Sequence, residues 1–446
     1  MNKAAAPEQR PRRAGLGFWM CLALVMGNMI GSGVFLLPAS LAPYGWNAVA
    51  GWIVTIGGAL VLGYLIVRLT RALPAAPDAV GLVRETFGAV AGFMIGWSYW
   101  VSVWTANVTL AVAAVSNFSA FAPGLAQIPY GPAACALALI WTLTLVSLRG
   151  ARTAGGVQIL TLVLKLVPLV VVMVIIALVL GRSGGAALAP WPDEGLSVGA
   201  VGASAALTLW ALVGFESASI AGEKVDRPAI VIPRATMAGT AATGFLYLVV
   251  CSGIALMLPA EIAATSDAPF ATFVERYWAR EPGLLMAAFA GIAALGALNG
   301  WVLLQGQVPL AMARAGTLPA WIGKTDTRDT PVRALIVASL VASVLLLANS
   351  SRTMGSLFTF MALLSTSATL WLYLAIAVAA LRQRLAVPAA FVGVAYVLWA
   401  MWGAGVTASL LSLALMISGL PFFLWARRSA GRSAPSQQPP EDAAVG

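Results

Sequence analysis

The 446-residue chain contains no histidine, few charged side chains (9%) and three cysteines. Without histidine it lacks the side chain that titrates nearest neutrality, so any response to pH falls to carboxylates or to a perturbed lysine. Cys21, Cys135 and Cys251 all lie in apolar runs, which suggests no disulfide framework and no thiol or metal chemistry. No Gly-x-x-x-x-Gly-Lys-Ser/Thr loop is present to cradle a nucleotide. An enzyme would need clustered histidines or paired intramembrane carboxylates, and the chain offers neither, so no catalytic residue and no cofactor is expected. A charged content this low also excludes an ordinary soluble domain, where about a quarter of the residues are charged.

What is present is apolar sequence, 60% of the chain. Twelve stretches are long enough to cross about 30 Å of hydrocarbon as helices. They fall near 16–39, 46–68, 88–116, 131–148, 155–181, 198–221, 236–257, 283–312, 333–349, 356–380, 387–402 and 405–426. The expected class is therefore all-α, a polytopic membrane protein. Ala79–Phe87 and Ala268–Trp278 have the pattern of short amphipathic segments beside the spans.

The net charge of +10 is distributed by side of the membrane and not in a nucleic-acid-binding patch. Of the 26 basic residues, 21 flank alternate connections on one face, among them Arg68, Arg71, Arg84, Arg149, Arg314 and Arg382. The opposite face holds Arg182, Arg276, Arg280 and Arg352. The positive-inside rule then places both termini in the cytoplasm, with residues 1–15 and 429–446 as polar tails, the second of a composition expected to be disordered. Met1–Arg13 has no apolar core and does not read as a cleavable signal.

Two ionisable residues inside the apolar spans, Glu216 and Lys165, have no evident route to water. A charge at the bilayer centre costs about 2.5–3.5 kcal/mol on insertion scales, so such residues normally face a wet cavity or an ion path. The alternatives are a neutral, hydrogen-bonded Glu and a Lys that snorkels to the headgroups. Small-residue breaks interrupt the first and sixth spans, at Gly31-Ser32-Gly33 and at Gly214. Glycines let the backbone leave helical geometry while something else pairs its amides. Interruptions at corresponding places in two halves point to inverted-repeat transporters that bind substrate at mid-membrane, while Gly27-x-x-x-Gly31 alone would equally suit close helix packing.

Gly27-Asn-Met-Ile-Gly-Ser-Gly-Val-Phe-Leu-Leu-Pro38 and Leu207-Thr-Leu-Trp-Ala-Leu-Val-Gly-Phe-Glu-Ser-Ala218 together resemble the amino acid–polyamine–organocation superfamily. Within it the chain is most similar to the bacterial arginine/agmatine and putrescine/ornithine antiporters, from about residue 15 to about 425. Gly300-Trp301, Ala315-Gly-Thr-Leu-Pro319 and Thr330-Pro-Val332 carry the same likeness. The resemblance implies twelve helices with a five-plus-five inverted repeat over 16–181 and 198–380, broken helices 1 and 6, and two further helices over 387–426. It also implies a bacterial inner-membrane location and leaves monomer or homodimer open.

Carried over residue by residue, the likeness gives the substrate carboxylate to Gly31, Ser32 and Gly33, with Met29 and Val213 beside the two breaks. Trp210 would close over the substrate and Trp301 would stack on its cationic end, a contact worth about 0.5–2 kcal/mol. Asn107, Ser102 and Ser367 would supply polar contacts, and Tyr99 would stand near the cytoplasmic side of the path. Glu216 matches the acid assigned to proton sensing. Val103, Ala211 and Leu363 stand where further polar contacts would be expected, which implies weaker discrimination for a guanidinium. Lys165 resembles instead the lysine that other superfamily exchangers place where sodium sits in sodium-coupled relatives. It would then act either as a proton carrier or as a fixed structural cation.

The expected activity is secondary exchange of basic amino acids and their decarboxylated amines by alternating access. The alternative is a proton-coupled permease of neutral or broad specificity. A sensor without transport activity would need a signalling domain, which neither tail is large enough to supply.

Overall fold

The structure, a computed structural model, describes residues 17–31, 33–76, 78–149, 151–215, 227–327 and 330–432. All regular elements among the described residues are helical. Among the described residues eight helices are long and apolar enough to cross a membrane, and five shorter apolar helices accompany them. Counting the two pieces before and after residue 32 as one, this gives the twelve expected spans. The protein is a multi-pass membrane protein.

The first span is α1 (Phe18–Met29) and α2 (Gly33–Leu41), separated by a bend at Ile30 and Gly31. It is followed by α3 (Trp46–Ala72), the amphipathic α4 (Ala79–Phe87) and α5 (Ala89–Phe118). Then come α6 (Gly131–Leu148), α7 (Ala151–Ser183) and α8 (Val198–Leu212). The second half contains α9 (Pro228–Met257), the short α10 (Ala260–Thr265) and α11 (Pro269–Tyr277), and the long α12 (Arg280–Arg314). It ends with α13 (Val332–Ala348), α14 (Met354–Arg382), α15 (Val387–Gly403), α16 (Val406–Ile417) and α17 (Leu420–Arg432).

Local chemistry sets these boundaries. The Asp78 carboxylate accepts from the Gly81 amide at 2.7 Å and starts α4, and Thr353 accepts from the Ser356 amide at 3.3 Å to start α14. Gly88, at φ +91°, turns the chain between α4 and α5, a backbone shape that side chains resist.

The sixth span, expected over 198–221 with a break at Gly214, is helical from Val198 to Leu212; Val213 then leaves helical geometry and Gly214 takes φ +113°, and 216–221 lie outside the described residues. Two expectations change. The last span divides at Ser418–Gly419, where a Cβ on Gly419 would strike the Trp97 ring; the Trp97 Nε1 donates to Leu415 O at 2.9 Å and its ring stacks on Phe422. Finally, α17 runs through Arg432, into the stretch expected as a disordered tail.

Helix α5 is the axis of the molecule. It packs chiefly on α12 and α14 and is almost wholly buried, which explains why it combines small, hydroxyl and aromatic residues with no charge. Several polar groups along it are paired inside the protein, as a low-dielectric interior favours. Trp100 Nε1 donates to Gln305 O at 2.9 Å, and Ser98 Oγ to Ala368 O at 2.8 Å.

Candidate functional site

Where α1 gives way to α2, the backbone ladder rearranges. The Ile30 amide keeps its helical bond to Met26 O at 2.7 Å, but the Gly31 amide turns to Met29 O at 2.7 Å. Gly27 O thereby loses the donor a continuing helix would have supplied. A buried carbonyl left so would cost about 1–3 kcal/mol. Lys165 Nζ, on α7 and 1% exposed, donates to this carbonyl at 3.4 Å. Its amino group therefore sits at one carbonyl of the break. Tyr247 on α9 performs a matching task that the sequence did not disclose: its hydroxyl donates to Met29 O at 2.9 Å while its ring packs on Trp52. A single tyrosine in an apolar span gives no signal of such a contact.

Against the same break lies a small cavity of about 20 Å³ lined by Met29, Gly31, Gly33, Trp210, Val213 and Trp301, together with Ala106 and Leu110 of α5, Val34 and Ala211. Six of the residues expected at the substrate site are thus brought together from α1, α2, α8, α12 and the turn after α8. The volume accommodates about one water. An amino acid can enter only if the indoles move.

Gly33 is the tightest point. A Cβ there would lie inside the Trp210 ring, so the α2 backbone and the indole touch only because the residue is glycine. Trp210 is in turn packed edge-to-face on Phe358 of α14, with ring centroids 5.4 Å apart and planes at 86°. The turn after Trp210 is anchored by Phe215, fully buried and stacked on Tyr373 at 5.2 Å.

The polar residues are arranged differently. Asn107 does not line the cavity; its amide donates to Gln305 Oε1 at 2.7 Å, and Gln305 Nε2 donates to Ser339 Oγ at 2.8 Å. Ser339 pairs with Thr144 at 2.8 Å, so a buried chain of polar groups ties α5, α12, α13 and α6 together. The Asn107 Oδ1 has no partner. Ser102 donates its hydroxyl to Tyr99 O at 2.7 Å within its own helix, and Ser367 is fully buried with an unpartnered hydroxyl. Ser32 and Glu216 lie outside the described residues.

Tyr99 lines a separate cavity of about 280 Å³ with Arg84, Gln307 and Thr317. At the other end, a cavity of about 400 Å³ is lined by Val112, Val115, Asp267, Arg352 and Leu357. Three spaces therefore follow α5 in order: one at Gly92–Tyr99, the small one at Ala106–Leu110, and one at Val112–Val115. Tyr99 and Ala106 are about 10 Å apart along the helix axis at 1.5 Å per residue. A small aromatic-walled pocket between two larger cavities, beside the α1–α2 break and the end of α8, fits a secondary-transporter architecture.

Comparison with known proteins places that architecture in a family. The amino acid permease family profile matches residues 16–436, and the chain belongs to this family. It is 34% identical to the cadaverine/lysine antiporter of Escherichia coli strain K12 over 334 residues, 74% of each chain. It is 32% identical over 400 residues to a putative arginine/ornithine antiporter of Bacillus subtilis, covering 82% of this chain and 84% of that one. The putrescine transporter PotE of Haemophilus influenzae is 28% identical over 410 residues, covering 89% and 93%. Among solved structures, the substrate-bound outward-open state of a Na⁺-coupled sialic acid symporter superposes with TM-score 0.55 at 13% identity, covering 89% of this chain and 90% of that one, a likeness of fold.

Proposed function

We propose that the protein exchanges basic amino acids for their decarboxylated amines by alternating access at the cavity between Trp210 and Trp301. The observation behind this reading is the meeting of the α1–α2 break, the end of α8 and the two indoles around one small cavity. Glycine backbone at a helix break suits a carboxylate, and an indole face suits an ammonium or guanidinium. Relatives that match over most of the chain include an antiporter of lysine and cadaverine and a putative antiporter of arginine and ornithine, which favours exchange over permease action. Lysine and diamines join arginine and agmatine in the substrate class on the same ground.

The further parts of the reading follow from the sequence. Residues 16–181 and 198–380 form the two inverted repeats, with 387–426 added to them. Both termini face the cytoplasm of a bacterial inner membrane, which makes the Tyr99 cavity the inner vestibule and the Asp267 cavity the outer one. Met29, Gly31, Ser32, Gly33 and Val213 serve the carboxylate end, and Asn107, Ser102 and Ser367 come into reach when the indoles move. Glu216 and Lys165 govern coupling.

Counterflow in proteoliposomes tests this. Radiolabelled lysine, arginine, ornithine and cadaverine should enter only vesicles loaded with one of the same compounds. Uptake into empty vesicles driven by an inward proton gradient would reject exchange in favour of the permease.

A further inference from the structure

The cavity at the Val112–Val115 end of α5 is more than a passage. It is bounded by segments near 127–133, 265–267 and 350–357, and it reaches Leu357, the neighbour of the Phe358 ring that closes on Trp210. At about 400 Å³ it lies in the size range of sites for small molecules. Its walls hold one carboxylate, Asp267, and one guanidinium, Arg352, together with Tyr130, Thr265 and Thr353.

The two charges are not paired with each other; the ion pair among the described residues is Arg84 with Glu85. Arg352 is fixed through Nε, which donates to Asn349 Oδ1 at 3.3 Å, and through its face, which lies 4.4 Å from the Phe360 ring centroid. Its terminal nitrogens remain for another acceptor. The backbone of Asp267 is fixed by the Ser116 hydroxyl, which donates to its carbonyl at 2.7 Å. Burial pushes the Asp267 carboxyl up from its ordinary value, with the Ser116 hydroxyl acting the other way, as for a carboxylate short of counter-charge.

We propose that this cavity is a second binding site, outside the Trp210–Phe358 contact, for α-amino acids as zwitterions, with Arg352 taking the carboxylate and Asp267 the ammonium. An opposed pair held apart in one cavity matches a ligand that carries both charges. The planar guanidinium fits a carboxylate in two-pronged fashion, which a lysine would not. A diamine has no carboxylate for Arg352, so this site separates the two partners of the exchange before either reaches the central cavity. The inference rests on the substrate class proposed above.

Equilibrium binding of radiolabelled lysine and cadaverine to the purified full chain in nanodiscs tests it. Gly33→Val, which removes the central cavity, should leave one weaker lysine site per chain. Adding Arg352→Gln should weaken that site at least tenfold for lysine and leave cadaverine unchanged, Arg352→Lys should restore part of the loss, and Asp267→Asn should weaken both ligands. If Gly33→Val does not yield folded protein, wild type should bind two lysines per chain and Arg352→Gln one. A single lysine site lost with Gly33→Val, or equal effects of Arg352→Gln on lysine and cadaverine, overturns the outer site alone. Wild-type protein that binds neither compound overturns both this site and the substrate class.

Discussion

Lys165 Nζ reaches across from α7 to Gly27 O at 3.4 Å, the carbonyl that the bend at Ile30 and Gly31 strips of its helical donor. The bend and the lysine are thus one structure: a break that frees a carbonyl and a cation that takes it. Replacing Lys165 by Met keeps the bulk and removes the donor. We expect a stability loss of about 1–3 kcal/mol from the orphaned carbonyl, read as a lower unfolding temperature in detergent, together with at least tenfold slower counterflow. If Lys165 carries the proton, the variant also loses the pH dependence of uptake. Unchanged melting and unchanged transport would mean the contact has no role.

Gly33 and Trp210 are coupled sterically, so their variants should not behave independently. Gly33→Ala forces the Trp210 ring out of its place and should lower substrate affinity at least tenfold in protein that still elutes as a single species. Trp210→Leu in the same chain should recover part of that loss, because the smaller side chain makes room. Strictly additive effects in a binding assay would refute the coupling.

How much of this was legible beforehand depends on the kind of signal. Span number follows from runs of apolar residues, and the break at Ile30 and Gly31 from the small-residue run Gly31-Ser32-Gly33, although Gly27-x-x-x-Gly31 read alone suits close helix packing equally well. Even α4 coincides with the amphipathic stretch at Ala79–Phe87. Side-chain direction is another matter. Asn107 and Ser102 lie on the helix that lines the cavity, yet both use their polar groups elsewhere, toward Gln305 and Tyr99 O. In a helix, residues one position apart point about 100° from each other, so Ala106 lines the space while Asn107 does not. Tyr247 escaped because hydroxyl-to-carbonyl contacts between distant helices leave no sequence pattern, and the division of the last span depends on Trp97, more than three hundred residues earlier.

Trp301 is the half-buried wall of the central cavity, and its predicted task is to stack on a cation. Trp301→Leu should weaken lysine or cadaverine binding by about 0.5–2 kcal/mol, and Trp301→Phe by less, since a phenyl face attracts cations more weakly than an indole. Calorimetry with both substrates would decide. Equal affinities in wild type and Trp301→Leu would leave Trp301 a packing residue.

Asp267 gives a pH test that needs no substrate. Burial raises its carboxyl above the ordinary value of 3.8, with the Ser116 hydroxyl opposing. A raised folded value means the native protein holds this proton more tightly than the unfolded chain does. Stability from this group is therefore full below pH 3.8, falls as pH rises through the folded value, and stays reduced above it. Asp267→Asn stays neutral throughout and should escape the loss. We expect it to melt with wild type in acid, near pH 3.5, and above wild type at pH 7, with the two curves separating over the titration of Asp267. Ser116→Ala, which removes a group favouring the ionised form, should move that separation to higher pH. A constant difference between wild type and Asp267→Asn across the range would show that the carboxyl titrates alike in the folded and unfolded chains, and that its burial between α10 and α11 has no electrostatic cost.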